Sequence, residues 1–281
     1  MKNLLVKVHE AWLESLMVAM MSRDGESKLA LYEFSSIIFR HFQWIENHLI
    51  KSGIDYDYNR EIIPIKVEKL SVIIGDLVRR LSEIELLLVE LDDEALKSRV
   101  ERDLNYITFK LKNLPDEEIT AFNVNRKYKN IELDKDATDS LTLFLFEESY
   151  KEYELIMIYN YLKAHSDDTF LNRVFGILIE ESFFHLRSFG EMMAEMGILG
   201  VPRVIHESLY KVEDIKQFLL DGIEEEVMAK EECLKLSQAV AKNSDELAKF
   251  FDFINYQENY HIDLMKEAVE YFTAKVEKGA K

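Results

Sequence analysis

The sequence predicts an all-α protein made of two tandem four-helix bundles. The chain of 281 residues contains only 9 Gly and 3 Pro, which is few for the many turns of a β-sandwich or a β-barrel. Apolar residues recur at spacings of three and four along most of the chain, which is typical of amphipathic helices. A polar stretch without this periodicity lies near the middle and divides the helical pattern into two halves.

The first half of the sequence predicts four helices. Their expected ranges are 3–21, 27–52, 66–92 and 94–113. Gly53 directly follows the second range, where a helix commonly ends on a glycine. We interpret residues 1–115 as one helical bundle and residues 116–137, which lack apolar periodicity, as a linker.

The second half predicts four more helices, which we assign to a second bundle over residues 138–281. Their expected ranges are 138–165, 168–196, 212–241 and 244–275. Asp168, Asp214 and Asp245 stand where N-cap residues are expected, and Gly197 stands at an expected helix end.

The two halves share a weak internal repeat. When Gly53 is placed on Gly197, His41 falls on His185. Shifting the offset by one residue aligns Lys66-Val67-Glu68 with Lys211-Val212-Glu213, and a further shift of five residues near the ends aligns Asn105-Tyr106 with Asn255-Tyr256. The matches keep their order, which favours duplication of one bundle. Two unrelated bundles that share common capping residues are the alternative.

The charge balance and the cysteine count restrict the setting of the protein. Asp and Glu number 53 against 35 Lys and Arg, which gives a formal net charge of −18. This excess of acidic residues argues against binding to nucleic acid and against binding to a membrane through a basic protein surface. Cys233 is the single cysteine, so an intrachain disulfide and a cysteine zinc site are excluded. The N-terminus does not resemble a signal peptide, and no apolar run approaches the roughly 20 residues that span a bilayer. We therefore expect a cytoplasmic protein.

Carboxylates interrupt the apolar face of every predicted helix in the second half, and histidines join them on two helices. In chain order these residues are Glu148 and Glu152, Glu181 and His185, Glu225 and Glu226, and Glu258 and His261. An unpaired carboxylate inside a bundle costs several kcal/mol. Because carboxylate and imidazole together suit iron, manganese or zinc, the pattern indicates a buried metal site.

This order of residues resembles the superfamily of ferritins, bacterioferritins and rubrerythrins. In these bundles two helices each supply a Glu and the other two each supply a Glu-x-x-His motif. The resemblance covers residues 138–275, about half of the chain. One departure is that Glu181 and His185 are four residues apart, so that Ser182 stands where the family pattern has its glutamate.

The resemblance implies a cofactor of two iron ions, with manganese or a mixed Mn/Fe pair as alternatives. It implies that Glu181 and Glu258 bridge the two metals and that Glu148 and Glu226 are terminal ligands. His185 and His261 would each donate one nitrogen, and Glu225 would correspond to the extra glutamate of rubrerythrin-like sites. Glu152, Asn255, Tyr150 and Tyr159 are unranked candidates for orienting the imidazoles.

The first half does not keep these ligands. In the alignment Glu148 falls on Leu4, Glu181 on Ile37 and Glu225 on Arg80, and the positions of Glu258 and His261 are Thr108 and Leu111. We expect the first half to be a degenerate copy that lacks metal ligands and serves packing or an interface.

The resemblance implies a dinuclear metal oxidoreductase that reacts with O₂ or peroxide. The chain has no CxxC pair, so the electrons would come from a separate donor. Three alternatives remain open: a non-catalytic metal-binding or structural scaffold, a manganese catalase-like enzyme, and an oxygenase of a small organic substrate. Association into a homodimer is also left open.

Overall fold

The computed structural model describes residues 1–23, 25–64, 66, 68–116, 131–198, 200 and 203–279. Within these ranges the chain is all-α and contains no β-strand, as predicted. The helices are α1 (Lys2–Met21), α2 (Gly25–Lys51), α3 (Leu70–Leu87), α4 (Glu94–Leu111), α5 (Lys135–Ala164), α6 (Thr169–Glu195), α7 (Glu207–Tyr210), α8 (Ile215–Val240) and α9 (Asp245–Gly279). Most of the predicted linker, residues 117–130, lies outside the described residues.

Two elements differ from the sequence prediction. Helix α3 begins at Leu70, later than predicted, and a 3₁₀ turn over Leu88–Glu90 follows it. The short helix α7 was not predicted, because four residues are too few for a periodic pattern.

The chain divides into two compact units. Unit 1 comprises Met1–Arg126 and Gly190–Glu207, and unit 2 comprises Lys127–Phe189 and Ser208–Lys281. The predicted division at a single linker did not include the return of Gly190–Glu207 to unit 1. Side-chain contacts hold this segment there, since Tyr32 donates a hydrogen bond to Glu191 at 2.6 Å and Arg60 donates one to the backbone carbonyl of Arg203 at 3.0 Å.

In unit 1, α1 packs against α2 and α3, and α4 packs against α3 and α2. The core between them is aromatic, with Trp12 packed against Phe39 at a ring distance of 4.6 Å. This apolar core also encloses charged groups from α1, which are described below.

In unit 2, α8 and α9 pack along each other and α5 packs against α8. Ring contacts join the remaining faces, because Phe144 of α5 meets both Phe189 of α6 and Phe251 of α9 at about 5.3 to 5.4 Å. Tyr159 of α5 meets Phe175 of α6 and Phe218 of α8. The four long helices therefore bury side chains into one core, and this core holds the candidate site.

The predicted helix ends are confirmed in four of five cases. Asp214 accepts a hydrogen bond from the backbone N–H of Gln217 at 2.9 Å, and Asp168 accepts one from Phe170 at 2.9 Å. Gly53 and Gly197 have positive φ of 66° and 73°. Asp245 is the exception, because it is the first helical residue of α9, and the Ser244 hydroxyl caps the helix by accepting from the N–H of Leu247.

No helix in the described part of the chain combines the length and apolar character needed to cross a membrane.

Two glycine substitutions test the helix assignments in opposite directions. A Cβ added at Gly53 or at Gly75 would meet no atom within 4 Å, so only the backbone distinguishes the two positions. Gly53 has a left-handed φ, and Gly53→Ala should lower the free energy of unfolding by about 1 kcal/mol. Gly75 lies inside α3, and Gly75→Ala should raise it by about 0.5 to 1 kcal/mol. Urea denaturation of both variants measures the difference, and equal effects of one sign would contradict the assignment.

Candidate metal centre

Helix α9 supplies a glutamate and a histidine one turn apart. Glu258 and His261 lie on the buried face of α9, and each is only 4% exposed. The Oε2 atom of Glu258 lies 2.7 Å from Nδ1 of His261. Residues three apart on a helix share a face, so the predicted Glu-x-x-His motif presents both side chains together.

Glu226 of α8 completes a group of three. Its Oε1 atom lies 3.6 Å from Nδ1 of His261. Glu226, Glu258 and His261 are all buried, and each offers a ligand atom within 4.8 Å of the others. Across the described residues, this is the group of His, Cys, Asp and Glu side chains whose spacing suits a metal ion.

The second histidine lies beside this group and comes from α6. Nδ1 of His185 lies 3.0 Å from Oε1 of Glu152 on α5 and 3.8 Å from Oε1 of Glu258. The rings of His185 and His261 are 5.5 Å apart. The Glu258 carboxylate thus has one oxygen near each imidazole, and Glu152 and Glu226 lie on the two outer sides.

Both imidazoles have a nitrogen that is buried without a hydrogen-bond partner. These atoms are Nε2 of His185 and Nε2 of His261. A buried ring nitrogen is normally satisfied by the protein, by an ordered water or by a metal ion. The two atoms are therefore an observation in favour of a ligand at this position.

A cleft opens onto the carboxylates of this cluster and onto His261, whereas His185 is not part of its lining. It has about 320 Å³ of empty space, part of it open solvent, and it lies between apolar walls formed by Leu155, Leu178 and Ala229. Its polar lining consists of Glu148, Lys151, Glu152, Tyr159, Ser182, Glu226, Glu258 and His261. Within this described lining, Lys151 is the only lysine or arginine.

Burial and mutual repulsion change the pKa values of the carboxyl groups in the cleft. Burial raises the pKa of Glu148 to about 7, against the opposing charge of Lys151. Burial raises the pKa of Glu258 as well, and the nearby charge of Glu226 adds to this effect. Burial also disfavours the charged form of Glu226, but the contacts from His261 and Glu258 outweigh it and lower its pKa. Neighbouring carboxylates in a dry site share protons in this way.

The same carboxylates raise the pKa values of both histidines. Burial favours the neutral ring of His185, but the charge and hydrogen bond of Glu152, together with the charge of Glu258, outweigh it and raise its pKa to about 9. For His261 the contacts from Glu226 and Glu258 likewise outweigh burial and raise the pKa. Without a metal, protons therefore supply the positive charge that the carboxylates require.

Two predicted ligands lie at the edge of the cluster or outside it. The side chain of Glu181 is 28% exposed, its Oε2 lies 3.8 Å from Nε2 of His261, and it accepts a hydrogen bond from Gln257 at 3.0 Å. The side chain of Glu225 is 52% exposed and pairs with Lys151 at 3.7 Å. The structure thus brings Glu148, Glu226, Glu258, His185 and His261 to the cleft region, with Glu181 beside them and Glu225 at the surface.

Sequence reasoning gave too little weight to two residues of α5. Glu152 is 6% exposed and is the hydrogen-bonding partner of His185, and its place on the buried apolar stripe was the available signal. Lys151 was missed, although its position next to Glu152 and three residues after Glu148 places it near the same face. Cys233 is buried, and burial raises the pKa of its thiol, which argues against a thiolate ligand.

Unit 1 also buries carboxylates, but it pairs them with an arginine. Nη1 of Arg80 lies 2.7 Å from Oε2 of Glu10, and Nε of Arg80 contacts Glu14. Lys7 adds a second cation to Glu10 at 2.9 Å. In the internal alignment Arg80 stands opposite Glu225, so unit 1 has a fixed cation where unit 2 has a carboxylate. The absence of a metal centre from unit 1 stays a prediction.

Comparison with protein-family models, with curated proteins and with solved structures finds no match for this chain.

The raised pKa values in the cleft predict how pH affects the free energy of unfolding of the metal-free protein. Between about pH 7 and 9 the folded chain retains protons on Glu258 and His185, whose pKa values are raised, whereas the unfolded chain has released them. The free energy of unfolding should therefore fall as pH rises through this range. The lowered pKa values of His9 and His41 act in the opposite direction, but only below about pH 6.5.

Urea denaturation in the presence of a chelator measures this dependence. Glu258→Gln should reduce the decline in the free energy of unfolding, and Glu267→Gln, at an exposed position of α9, should leave it unchanged. A wild-type midpoint that is equal or higher at the upper pH would contradict the interpretation.

Proposed function

We propose that unit 2 is a ferritin-like four-helix bundle that holds a dinuclear metal centre, with two iron ions as its expected cofactor. The observation that carries the proposal is the position of Glu258 between two imidazoles, each of which has a buried nitrogen without a hydrogen-bond partner. The ligand types and their origin on four helices agree with the pattern of dinuclear carboxylate bundles.

The donor set fits two divalent ions in charge. Glu148, Glu152, Glu226 and Glu258 carry four negative charges when ionised, and two divalent cations would balance them with both imidazoles neutral. Burying four carboxylates without such compensation is costly. The same charge balance holds for manganese or a mixed Mn/Fe pair, because the ligand types barely distinguish these metals.

The residues would divide between the two ions as follows. Glu226, Glu258 and His261 would hold the first ion, in agreement with their mutual spacing. Glu258 and His185 would hold the second, with Glu148 and Glu152 as candidates for its remaining carboxylate ligand. The hydrogen bond between Glu152 and His185 also suits the role of orienting the imidazole. Glu181 lies close enough to His261 to join after a side-chain rotation, as the family resemblance implies.

The expected reaction is an oxidation by O₂ or the reduction of peroxide. A bound pair of iron ions would supply electrons to O₂ or peroxide, and a separate donor would reduce the iron again. The apolar walls of the cleft would restrict water, and Glu148, whose pKa is about 7, could take up or release a proton near neutral pH. A small organic substrate remains an alternative to the iron ions themselves as the species that is oxidised.

Metal content is the primary test of the proposal. After anaerobic loading with Fe(II) and desalting, we expect elemental analysis to find about two metal ions per chain. Glu258→Ala should lose most of both ions because Glu258 lies between the two imidazoles. The matched control is Glu224→Ala, an exposed glutamate on α8, which should retain the wild-type content. A wild-type content below about 0.2 per chain would contradict a metal site.

A second measurement separates an enzyme from a scaffold. The loaded protein is mixed with O₂ or with peroxide plus a reductant, and its absorbance is followed over repeated turnovers. Sustained consumption of peroxide with oxidation of the reductant supports an oxidoreductase, whereas stable metal without turnover supports a non-catalytic metal-binding scaffold. Peroxide consumption by the manganese-loaded protein without a reductant would favour the catalase-like alternative.

A further inference from the structure

Lys151 occupies an unusual place at the candidate metal centre. It lies on α5 between Glu148 and Glu152, lines the same cleft as both, and has a side chain that is 32% exposed. Its ammonium group lies 3.7 Å from the carboxylate of Glu225, which faces solvent. Lys151 therefore stands between the buried carboxylates of the cleft and one exposed carboxylate at its mouth.

The ammonium group interacts with carboxylates on both sides. It opposes the effect of burial on the pKa of Glu148, and Glu148, Glu225 and Glu226 act together to raise its own pKa above the ordinary value of lysine. A lysine side chain has a flexible stem of four carbons that can carry its charge over several ångströms. In the metal-free structure the ammonium group pairs with Glu225, and the stem is long enough to carry it towards the buried carboxylates without movement of the helix.

Metal binding would change the electrostatic environment of this ammonium group. In the metal-free cleft, a positive charge beside Glu148 and Glu226 relieves the cost of burying carboxylates. Two divalent ions would neutralise the same carboxylates, and the ammonium group would then be repelled by the ions at short range. Glu225 lies outside the cluster of buried ligands and would remain as its partner.

We propose that Lys151 is a built-in competitor for the metal ions, whose charge partly neutralises the carboxylates of the metal-free cleft and which Glu225 holds at the edge of that cluster. The inference rests on the proposed metal centre. It gives Lys151 and Glu225 a joint role in setting metal affinity, and it assigns Glu225 to the partner of the lysine rather than to the ligands. Coupling of this kind acts equally in both directions. The lysine weakens metal binding by the same free energy by which bound metal weakens the attraction of the carboxylates for the lysine.

Metal affinity, measured by competition with a chromophoric chelator, tests the inference with Mn(II) as the probe. Lys151→Met should tighten Mn(II) binding by about tenfold, and it should lower the urea midpoint of the metal-free protein. Lys151→Gln is measured in parallel because it keeps a polar side chain at a partly exposed position. Lys151→Arg keeps the charge and should bind Mn(II) with nearly wild-type affinity. Lys249→Met, which removes an exposed lysine paired with Asp245, is the matched control and should change neither quantity.

A double-mutant cycle separates the two roles of Glu225. If Glu225 acts by holding Lys151, Glu225→Gln should weaken Mn(II) binding in the wild-type background and have no effect in the Lys151→Met background. A similar loss in both backgrounds would show Glu225 to be a ligand and would overturn its assignment as the partner of the lysine.

The remaining outcomes distinguish the inference from the proposal on which it rests. Mn(II) affinities of Lys151→Met and Lys151→Gln that match the wild type would overturn the inference while leaving the metal centre in place. Failure of the wild type to bind Mn(II) or Fe(II) at all would overturn the metal centre and the inference together.

Discussion

The cost of burying carboxylates among apolar helices is the constraint on which unit 2 depends. Glu152, Glu226 and Glu258 are each less than 10% exposed, and each lies on a helix face that is otherwise apolar. Such groups destabilise a fold unless a cation or hydrogen bonds compensate them. The contacts with His185 and His261 supply part of this compensation. The carboxylates in turn raise the pKa values of both imidazoles and favour their protonated forms.

The two units meet the same constraint by different means. In unit 1 the buried Glu10 and Glu14 converge on Arg80, whose guanidinium is a permanent cation that matches carboxylates in shape and charge. In unit 2 the carboxylates converge on titratable imidazoles and line a cleft together with one lysine, Lys151. A fixed guanidinium leaves little room for an exchangeable ion, whereas imidazoles and an open cleft can admit one.

Sequence periodicity predicted the fold class and most of the helices, because an amphipathic helix repeats its signal over many turns. Helix ends were also predictable where one residue has a distinctive role, as at Gly53 and Gly197 with their left-handed φ. Local signals failed where two neighbours compete for one role, as when Ser244 rather than Asp245 capped α9. The return of Gly190–Glu207 to unit 1 depends on contacts between distant residues, which no local pattern records.

The presence of a buried cluster of Glu and His side chains was predictable for a related reason. Charged residues on an apolar stripe stand out, and this feature indicated Glu148, Glu226 and Glu258 with the two histidines. The stripe does not distinguish a residue at the core from one a half-turn away, so it gave equal weight to Glu225 and Glu226. It also could not rank Glu152, whose role depends on the orientation of His185 across an interface between two helices.

Anomalous diffraction from crystals of the iron-loaded protein, collected on both sides of the iron absorption edge, tests the central claim most directly. The account predicts two neighbouring iron peaks in unit 2, one of them bonded to Glu226, Glu258 and His261, and the other bonded to Glu258 and His185. Iron peaks found only at exposed carboxylates, or a cleft without iron in crystals of the loaded protein, would contradict it.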